Sequence, residues 1–277
     1  SGGNVVFSKS GSTFLMSPVG NKVNVFDLTN NTSFTLPFET KHTICCLSLS
    51  NDGKMLAMID EEGETILVNV HKRTLIGHHH FHSYITAASF SPDNTILVVG
   101  SRDPKKRVQF LNTHSQLLEF DSIPLFCWLT NFFDDITALE WTPDSRFIAI
   151  SSKDASIKIY RVEKSRNMSN YHPLTLSGHK KPILGCFFSQ DNKTLFSVDS
   201  GNVFIWKWIP KHKGDDLFSG SFKLEERHGF PPLDSSTKIH KAICCAFHQA
   251  TSVLVVGFSD GTFELFDLPE LNRIHSL

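Results

Sequence analysis

Residues 136–161 read ITALEWTPDSRFIAISSKDASIKIYR, and this stretch decides the fold class. Apolar and polar residues alternate as far as Trp141, a polar turn (TPDS) follows at 142–145, and a short apolar run begins at Phe147. Alternation with period two indicates a half-buried strand, and a short apolar run bounded by turn residues indicates a buried one. A third strand is predicted at Ser156–Arg161. The stretch therefore predicts antiparallel strands joined by short turns.

The same pattern recurs along the chain. Its polar turns begin at Ser8, Ser50, Ser91, Thr142, Ser189 and His248, at spacings of 42, 41, 51, 47 and 59 residues. The shortest spacings match the roughly 40 to 45 residues of one propeller blade, and the excess predicts insertions. No segment shows a sustained helical period. We therefore predict an all-β fold, a β-propeller with about six visible four-stranded blades.

The repeat spacing also predicts the domain organisation. The expected blades cover residues 1–36, 37–80, 81–120, 121–176, 177–235 and 236–277 of one domain that spans residues 1–277. The first turn has no clear strand before it, and the last seven residues are typical of an outer strand. We therefore expect a seven-bladed ring that is truncated at both ends. Residues 210–241 are polar and interrupted by proline, which predicts a long inter-strand insertion.

The composition limits the classes of partner. The 277 residues carry a formal net charge of -1, so no global attraction to nucleic acid or to an anionic membrane is expected. No apolar run approaches the ~18 residues of a membrane span. The six cysteines include two vicinal pairs, Cys45-Cys46 and Cys244-Cys245, at equivalent strand positions, and no Cys-x-x-Cys motif occurs. This pattern favours a reducing compartment and argues against a zinc site.

Degenerate motifs recur at the ends of the predicted repeats. Third strands end in pairs such as Trp206-Lys207 and Phe266-Asp267, and Gly-His precedes a first strand at Gly178-His179 and again at Gly77-His78. These motifs resemble the WD-repeat propeller family, in which buried His, Ser, Asp and Trp side chains form a structural network within each blade. The resemblance implies this role for His179, Asp154, Ser152, Asp260, His240 and Trp206. Asp199 is shifted by comparison with the family's turn aspartate.

The resemblance runs from one end of the chain to the other. Segments such as 17–21 (SPVGN) and 254–259 (LVVGFS) resemble WD-repeat propellers of ribosome biogenesis. The resemblance implies a non-catalytic scaffold in the nucleus and nucleolus, with other WD-repeat subunits of a small-subunit processome subcomplex as partners. Backbone contact with pre-ribosomal RNA is a further implied role. No cofactor, membrane or small-molecule substrate is expected. Two alternatives stay open, a peptide-recognising WD-repeat adaptor of another complex and, less favoured, a propeller enzyme.

Two groups of side chains are candidates for a function in addition to the scaffold role. In the run of His78, His79, His80 and His82, the first, third and last would share one face of an extended strand and could hold zinc or copper, but no neighbouring Cys or carboxylate completes a site, so an exposed strand is predicted instead. Basic residues at strand ends are candidate contacts for RNA phosphates or for a partner, provided that they converge. These basic candidates are Lys105, Lys106, Arg107, Lys180, Lys181, Lys211 and Lys213.

Overall fold

The computed structural model describes residues 4–8, 13–113, 125–162, 172–212, 217, 219–231 and 241–277. Within these ranges the chain contains strands and turns but no helix, which confirms the predicted all-β class. The strands form six antiparallel sheets of four, each built from four consecutive strands in chain order.

The strands of the first three sheets are as follows. The first sheet contains β1 (Val6–Phe7), β2 (Phe14–Val19), β3 (Lys22–Asp27) and β4 (Thr32–Thr35). The second contains β5 (Ile44–Leu49), β6 (Met55–Asp60), β7 (Glu64–Asn69) and β8 (Thr74–His80). The third contains β9 (Ile85–Phe90), β10 (Ile96–Ser101), β11 (Val108–Asn112) and β12 (Leu125–Leu129).

The remaining three sheets repeat this order. The fourth contains β13 (Ile136–Trp141), β14 (Phe147–Ser152), β15 (Ser156–Arg161) and β16 (Leu174–Ser177). The fifth contains β17 (Ile183–Phe188), β18 (Thr194–Asp199), β19 (Asn202–Ile209) and β20 (Ser221–Gly229). The sixth contains β21 (Ala242–His248), β22 (Val253–Phe258), β23 (Phe263–Asp267) and β24 (Asn272–Ser276).

In the second to fifth sheets, the polar turn between the first and second strands is closed by the same hydrogen bonds. In the third sheet the Ser91 hydroxyl donates to Asp93 at 2.6 Å and accepts from the backbone N–H of Ile96 at 3.0 Å. Asn94, which follows, has the left-handed φ of 61° that asparagine tolerates better than most residues. The turns that begin at Ser50, Thr142 and Ser189 repeat both bonds of the hydroxyl. A hydroxyl residue two positions before an aspartate therefore specifies this turn through hydrogen bonds between near neighbours in the sequence.

The chain divides into two compact units, one formed by the described residues up to Leu139 and the other by those from Glu140 onwards. In the first unit, apolar residues of the first and second sheets pack together, as do those of the second and third. In the second unit, a core lies between the fifth and sixth sheets. Each core consists mainly of side chains from second and third strands, whose burial supplies most of the stabilisation. The predicted single ring over residues 1–277 stays a prediction.

The observed sheets differ from the predicted boundaries in two places. The fourth strand of the third sheet lies at Leu125–Leu129, beyond the predicted limit of residue 120. The predicted insertion at 210–241 contains β20, and eight of its nine residues pair with β19, with a bulge at Glu225. The sequence of β20 is charged and has no sustained apolar alternation, so it gives no strand signal. The strand forms because it pairs with β19. The first and last sheets each have four strands, where incomplete ones were expected.

None of the described segments forms a helix that is long and apolar enough to cross a bilayer.

Candidate functional site

A buried polar network occupies the fifth sheet. His179, in the loop before β17, lies within 2.9 Å of the Asp199 carboxylate through Nδ1 and within 2.6 Å of the Ser197 hydroxyl through Nε2. The indole nitrogen of Trp206 lies 2.8 Å from the same hydroxyl. The side chains of His179 and Asp199 are 1% and 2% exposed, so water is not available to replace these bonds. The network connects the loop to β18 and β19.

The chemistry of the four groups determines the direction of each hydrogen bond. An indole N–H only donates, so the Ser197 hydroxyl accepts from Trp206 and donates its own proton to His179 Nε2. The carboxylate of Asp199 only accepts, so His179 Nδ1 carries the proton that it donates. The network is therefore satisfied with a neutral imidazole. Both ring nitrogens are occupied, which makes His179 a structural group.

The Asp199 carboxylate also organises the turn between β18 and β19. Its Oδ1 accepts from the backbone N–H groups of Gly201 at 2.8 Å and Asn202 at 2.9 Å. Burial by itself raises the pKa of this carboxyl, but the hydrogen bonds from His179, Gly201 and Asn202 favour the charged form more strongly. The pKa of Asp199 consequently lies below its ordinary value.

This lowered pKa predicts a pH-dependent contribution to stability. A folded-state pKa below the unfolded value of about 3.9 stabilises the fold fully above that pH, and the contribution is lost as pH falls through the folded pKa. Asp199→Asn should therefore be less stable than the wild type at pH 7, and the difference should shrink towards pH 3. Urea unfolding at both pH values measures it, with Ser33→Ala, an exposed change without a titrating group, as control. A difference that stays constant contradicts the role of the carboxylate.

The sixth sheet contains an apolar counterpart of the network. Strand register makes Phe258 equivalent to Asp199, Val256 equivalent to Ser197 and Phe266 equivalent to Trp206. Phe230, in the loop before this sheet, takes the place of the histidine, with its ring 5.4 Å from Phe258 and 5.6 Å from Phe266. Aromatic packing thus replaces the hydrogen bonds in this sheet. This replacement accounts for part of the 24 phenylalanines of the chain.

Comparison with known proteins agrees with this geometry. Residues 69–105, 128–161 and 171–207 match the family model described as WD domain, G-beta repeat. The chain contains WD repeats in these three ranges. The His179 network lies in the last of these matched repeats, and the equivalent apolar cluster of the sixth sheet lies outside them.

Several curated relatives of the WD-repeat chain share one name. A Periodic tryptophan protein 2 homolog of Neurospora crassa is 36% identical, with 99% of this chain and 31% of the relative covered. Periodic tryptophan protein 2 of Saccharomyces cerevisiae is 35% identical, with 99% and 30% covered. The Mus musculus homolog is 31% identical, with 99% and 34% covered. The WD-repeat chain thus spans about a third of the length of these relatives.

Solved structures with low sequence identity share the fold. The Cps50 (Swd1) β-propeller domain of Myceliophteria thermophila superposes with a TM-score of 0.77 at 14% identity, over 99% of this chain and 85% of that one. A chain of the Mitotic Checkpoint Complex gives 0.73 at 12% identity, over 99% and 79%. These similarities confirm the predicted β-propeller fold and carry no information about partners.

The other predicted network residues of the WD-repeat chain do not join His179. Ser152 ends β14, and Asp154 lies in the turn between β14 and β15, where it accepts from the backbone N–H and hydroxyl of Ser156. Asp260 forms the same local turn with Thr262 in the sixth sheet. His240 lies outside the described residues. Gly77-His78, expected before a first strand, lies within β8, and the buried Phe81 precedes the third sheet instead.

Sequence reasoning missed two members of the network. Ser197 was not predicted, and Asp199 was recognised only as a shifted turn residue. The aspartate that binds the histidine ends the second strand, whereas Asp154 and Asp260 lie two residues beyond the end of theirs. Ser197 and Trp206 lie nine residues apart on the two strands of a hairpin. This separation is the sequence signal that could have predicted their hydrogen bond.

The candidate basic residues do not form one continuous surface. Lys180 and Lys181 precede β17, at the end of the fifth sheet where Gly201 lies. Lys211 follows β19, whose eight residues place it about 25 Å away at the opposite end. Lys213 lies outside the described residues. In the third sheet, Lys105, Lys106 and Arg107 form the turn between β10 and β11.

The histidine cluster belongs to the outer strand of the second sheet. His78 and His80 are exposed in β8, and the rings of His80 and His82 lie 4.0 Å apart. In the part of the chain that the structure describes, no three His, Cys, Asp or Glu side chains are grouped to hold a metal ion.

A cavity of about 290 Å³ in the first unit is lined by Asn4 and by first-strand residues of the second, third and fourth sheets. Its wall includes Cys45 and Cys46, whose pKa values burial raises to about 11 and about 12. The other wall residues are Thr86, Ala87, Ala88, Thr137, Ala138 and Leu139. Thiols with raised pKa values are poor nucleophiles at neutral pH, so the cavity wall supplies no activated group.

Proposed function

We propose that this WD-repeat chain is a non-catalytic protein-interaction scaffold in ribosome biogenesis. In this role it supports assembly of the small-subunit processome and processing of small-subunit pre-ribosomal RNA in the nucleolus. Its partners are other WD-repeat subunits of a processome subcomplex, with pre-ribosomal RNA as a further contact. The observation that carries the proposal is the similarity to Periodic tryptophan protein 2 over 99% of the chain.

The side chains that most resemble catalytic groups support a structural role. Both ring nitrogens of His179 are engaged, by Asp199 and by Ser197, in a site closed to solvent. Burial also raises the pKa of Cys245 to about 12. A general base needs a free nitrogen near its substrate, and a cysteine nucleophile needs a low pKa. These groups therefore support a scaffold rather than an enzyme.

The repeated sheets suit a scaffold for a mechanical reason. In the second to fifth sheets, each turn between the first and second strands is held by its own hydroxyl and carboxylate, and adjacent turns are joined in two places. The backbone N–H of Asn51 donates to Asn94 at 2.7 Å, and the Gln249 side chain donates to the carbonyl of Phe188 at 3.2 Å. Rigid presentation of loops reduces the entropy lost when a partner binds.

Affinity purification of the tagged full-length protein tests the proposal. We expect processome proteins and small-subunit pre-ribosomal RNA to be enriched, and depletion of the protein to leave that RNA uncleaved in its leading spacer. Large-subunit ribosomal RNA serves as the internal control and should be unaffected at early times. Enrichment of subunits of a vesicle coat or a ubiquitin ligase, with normal RNA processing, would overturn the proposal in favour of another WD-repeat adaptor.

A further inference from the structure

The third sheet carries two exposed aromatic side chains at one end. Trp128 lies in the edge strand β12 and is 46% exposed, and Phe133 lies in the following loop and is 88% exposed. Their neighbours Cys127, Leu129 and Phe132 are 1%, 4% and 3% exposed. The chain therefore buries alternate apolar residues here and directs these two aromatic residues to solvent. Large exposed aromatic groups that cluster mark interaction sites more often than isolated ones do.

Basic residues lie beside Trp128. Leu129 pairs with Val108, so the end of β12 lies beside the turn that holds Lys105 and Lys106. The Lys106 ammonium lies 5.6 Å from the centre of the Trp128 ring. We call Trp128, Phe133, Lys105 and Lys106 the third-sheet aromatic surface.

Ion pairs and a ring contact hold the residues next to this surface in place. The Asp135 carboxylate binds Arg102 at 3.4 Å and Arg107 at 3.5 Å, and the Arg102 guanidinium lies 4.4 Å from the centre of the Tyr84 ring. The lysine turn is anchored as well, because the backbone N–H of Lys105 donates to Asp103 at 2.8 Å. A surface that is ordered before binding loses little entropy when a partner docks.

The charge balance indicates which class of partner fits. Asp135 is paired with the two arginines, Asp103 lies in the same turn as Lys105 and Lys106, and Asp134 follows Phe133 in the loop after β12. Such a nearly neutral surface lacks the excess positive charge that dominates binding to a nucleic-acid backbone. An aromatic centre with a rim of mixed charge is typical of a protein interface. The observations therefore favour protein over RNA.

We propose that the third-sheet aromatic surface docks a segment of a partner protein that has aliphatic side chains and a carboxylate. The aliphatic groups cover Trp128 and Phe133, and the carboxylate pairs with Lys105 or Lys106. The inference rests on the proposed scaffold function and deepens it by naming the surface and the chemistry of its partner.

A photo-cross-linker at Thr130 tests this inference. Thr130 is exposed between the two aromatic residues, so p-benzoylphenylalanine in its place leaves them unchanged. In cells that depend on the full-length protein, irradiation should give a protein adduct whose cross-linked peptide contains aliphatic and acidic residues. Trp128→Ser/Phe133→Ser should lower the adduct yield about tenfold or more, as expected for the loss of an interface hot spot. Lys105→Glu/Lys106→Glu should lower it as well.

Leu28→Ser, at another exposed apolar residue of the first unit, is the matched control and should leave the adduct yield unchanged. An RNA adduct, no adduct, or an adduct insensitive to the aromatic and lysine variants would overturn the inference. Co-sedimentation of the same variants with pre-ribosomal particles separates the two proposals. If co-sedimentation persists without the adduct, the docking inference fails and the scaffold function stands. If the wild-type protein does not co-sediment, the scaffold function in ribosome biogenesis fails.

Discussion

Replacing Ser197 with alanine is expected to lower the free energy of unfolding by about 3 kcal/mol, because two buried polar groups lose their partner at once. The indole N–H of Trp206 loses its acceptor, and Nε2 of His179 loses its donor. Each orphaned buried group costs about 1 to 3 kcal/mol. Urea denaturation at neutral pH measures the change.

Two further variants make this result specific to the network. Ser33→Ala, in an exposed part of β4, should change stability by less than about 0.5 kcal/mol. Val256→Ser, at the equivalent position of the sixth sheet, should also destabilise the protein, because it places a hydroxyl beside Phe258 and Phe266. Equal, small effects for Ser197→Ala and Ser33→Ala would show that the hydrogen bonds contribute little.

Replacing Arg273 with alanine is expected to destabilise the protein by about 3 kcal/mol, because it leaves a buried carboxylate without its cation. The Glu264 side chain is 1% exposed and receives a hydrogen bond from Arg273 Nε at 3.0 Å. Arg273 also donates from Nη2 to the carbonyl of Pro231 at 2.7 Å, so it joins β24 to the loop before the sixth sheet. Thermal and urea unfolding measure the loss.

A second substitution at Glu264 separates the charge effect from lost packing. Arg273→Ala/Glu264→Gln should recover most of the stability, since a neutral amide costs less to bury than an unpaired charge. Lys207→Ala is the surface control, because its partner Glu225 lies in solvent at 42% exposure and water screens the pair. It should have a much smaller effect. A double variant as unstable as Arg273→Ala alone would assign the loss to packing.

The repeat architecture could be predicted because its signals are local. In the second to fifth sheets, a hydroxyl two residues before an aspartate closes the turn through bonds that span five residues at most, as at Ser91 and Asp93. Alternation in β13 and the apolar run in β14 are likewise read from consecutive residues. Because these features repeat, a strand whose own sequence pattern is weak can be recognised from its position in the repeat.

The strand β20 and the third-sheet aromatic surface could not be predicted in this way. Ser221–Gly229 is rich in charge, and it becomes a strand because β19 offers a free edge and Lys207 pairs with Glu225. Exposure of Trp128 and Phe133 depends on which faces of β12 and its loop are covered by distant residues. The sequence marks both as apolar and does not indicate that they face solvent.

Sequence alone was sufficient for the all-β class, the six repeats and their turns, since each follows from periodicity and from hydrogen bonds between near neighbours. Only the folded arrangement showed that His179 binds Asp199 rather than Asp154, and that phenylalanine replaces this network in the sixth sheet. The reason is physical. Burial and hydrogen bonding between a loop and the next sheet depend on register, and a shift of one residue moves a side chain to the opposite face.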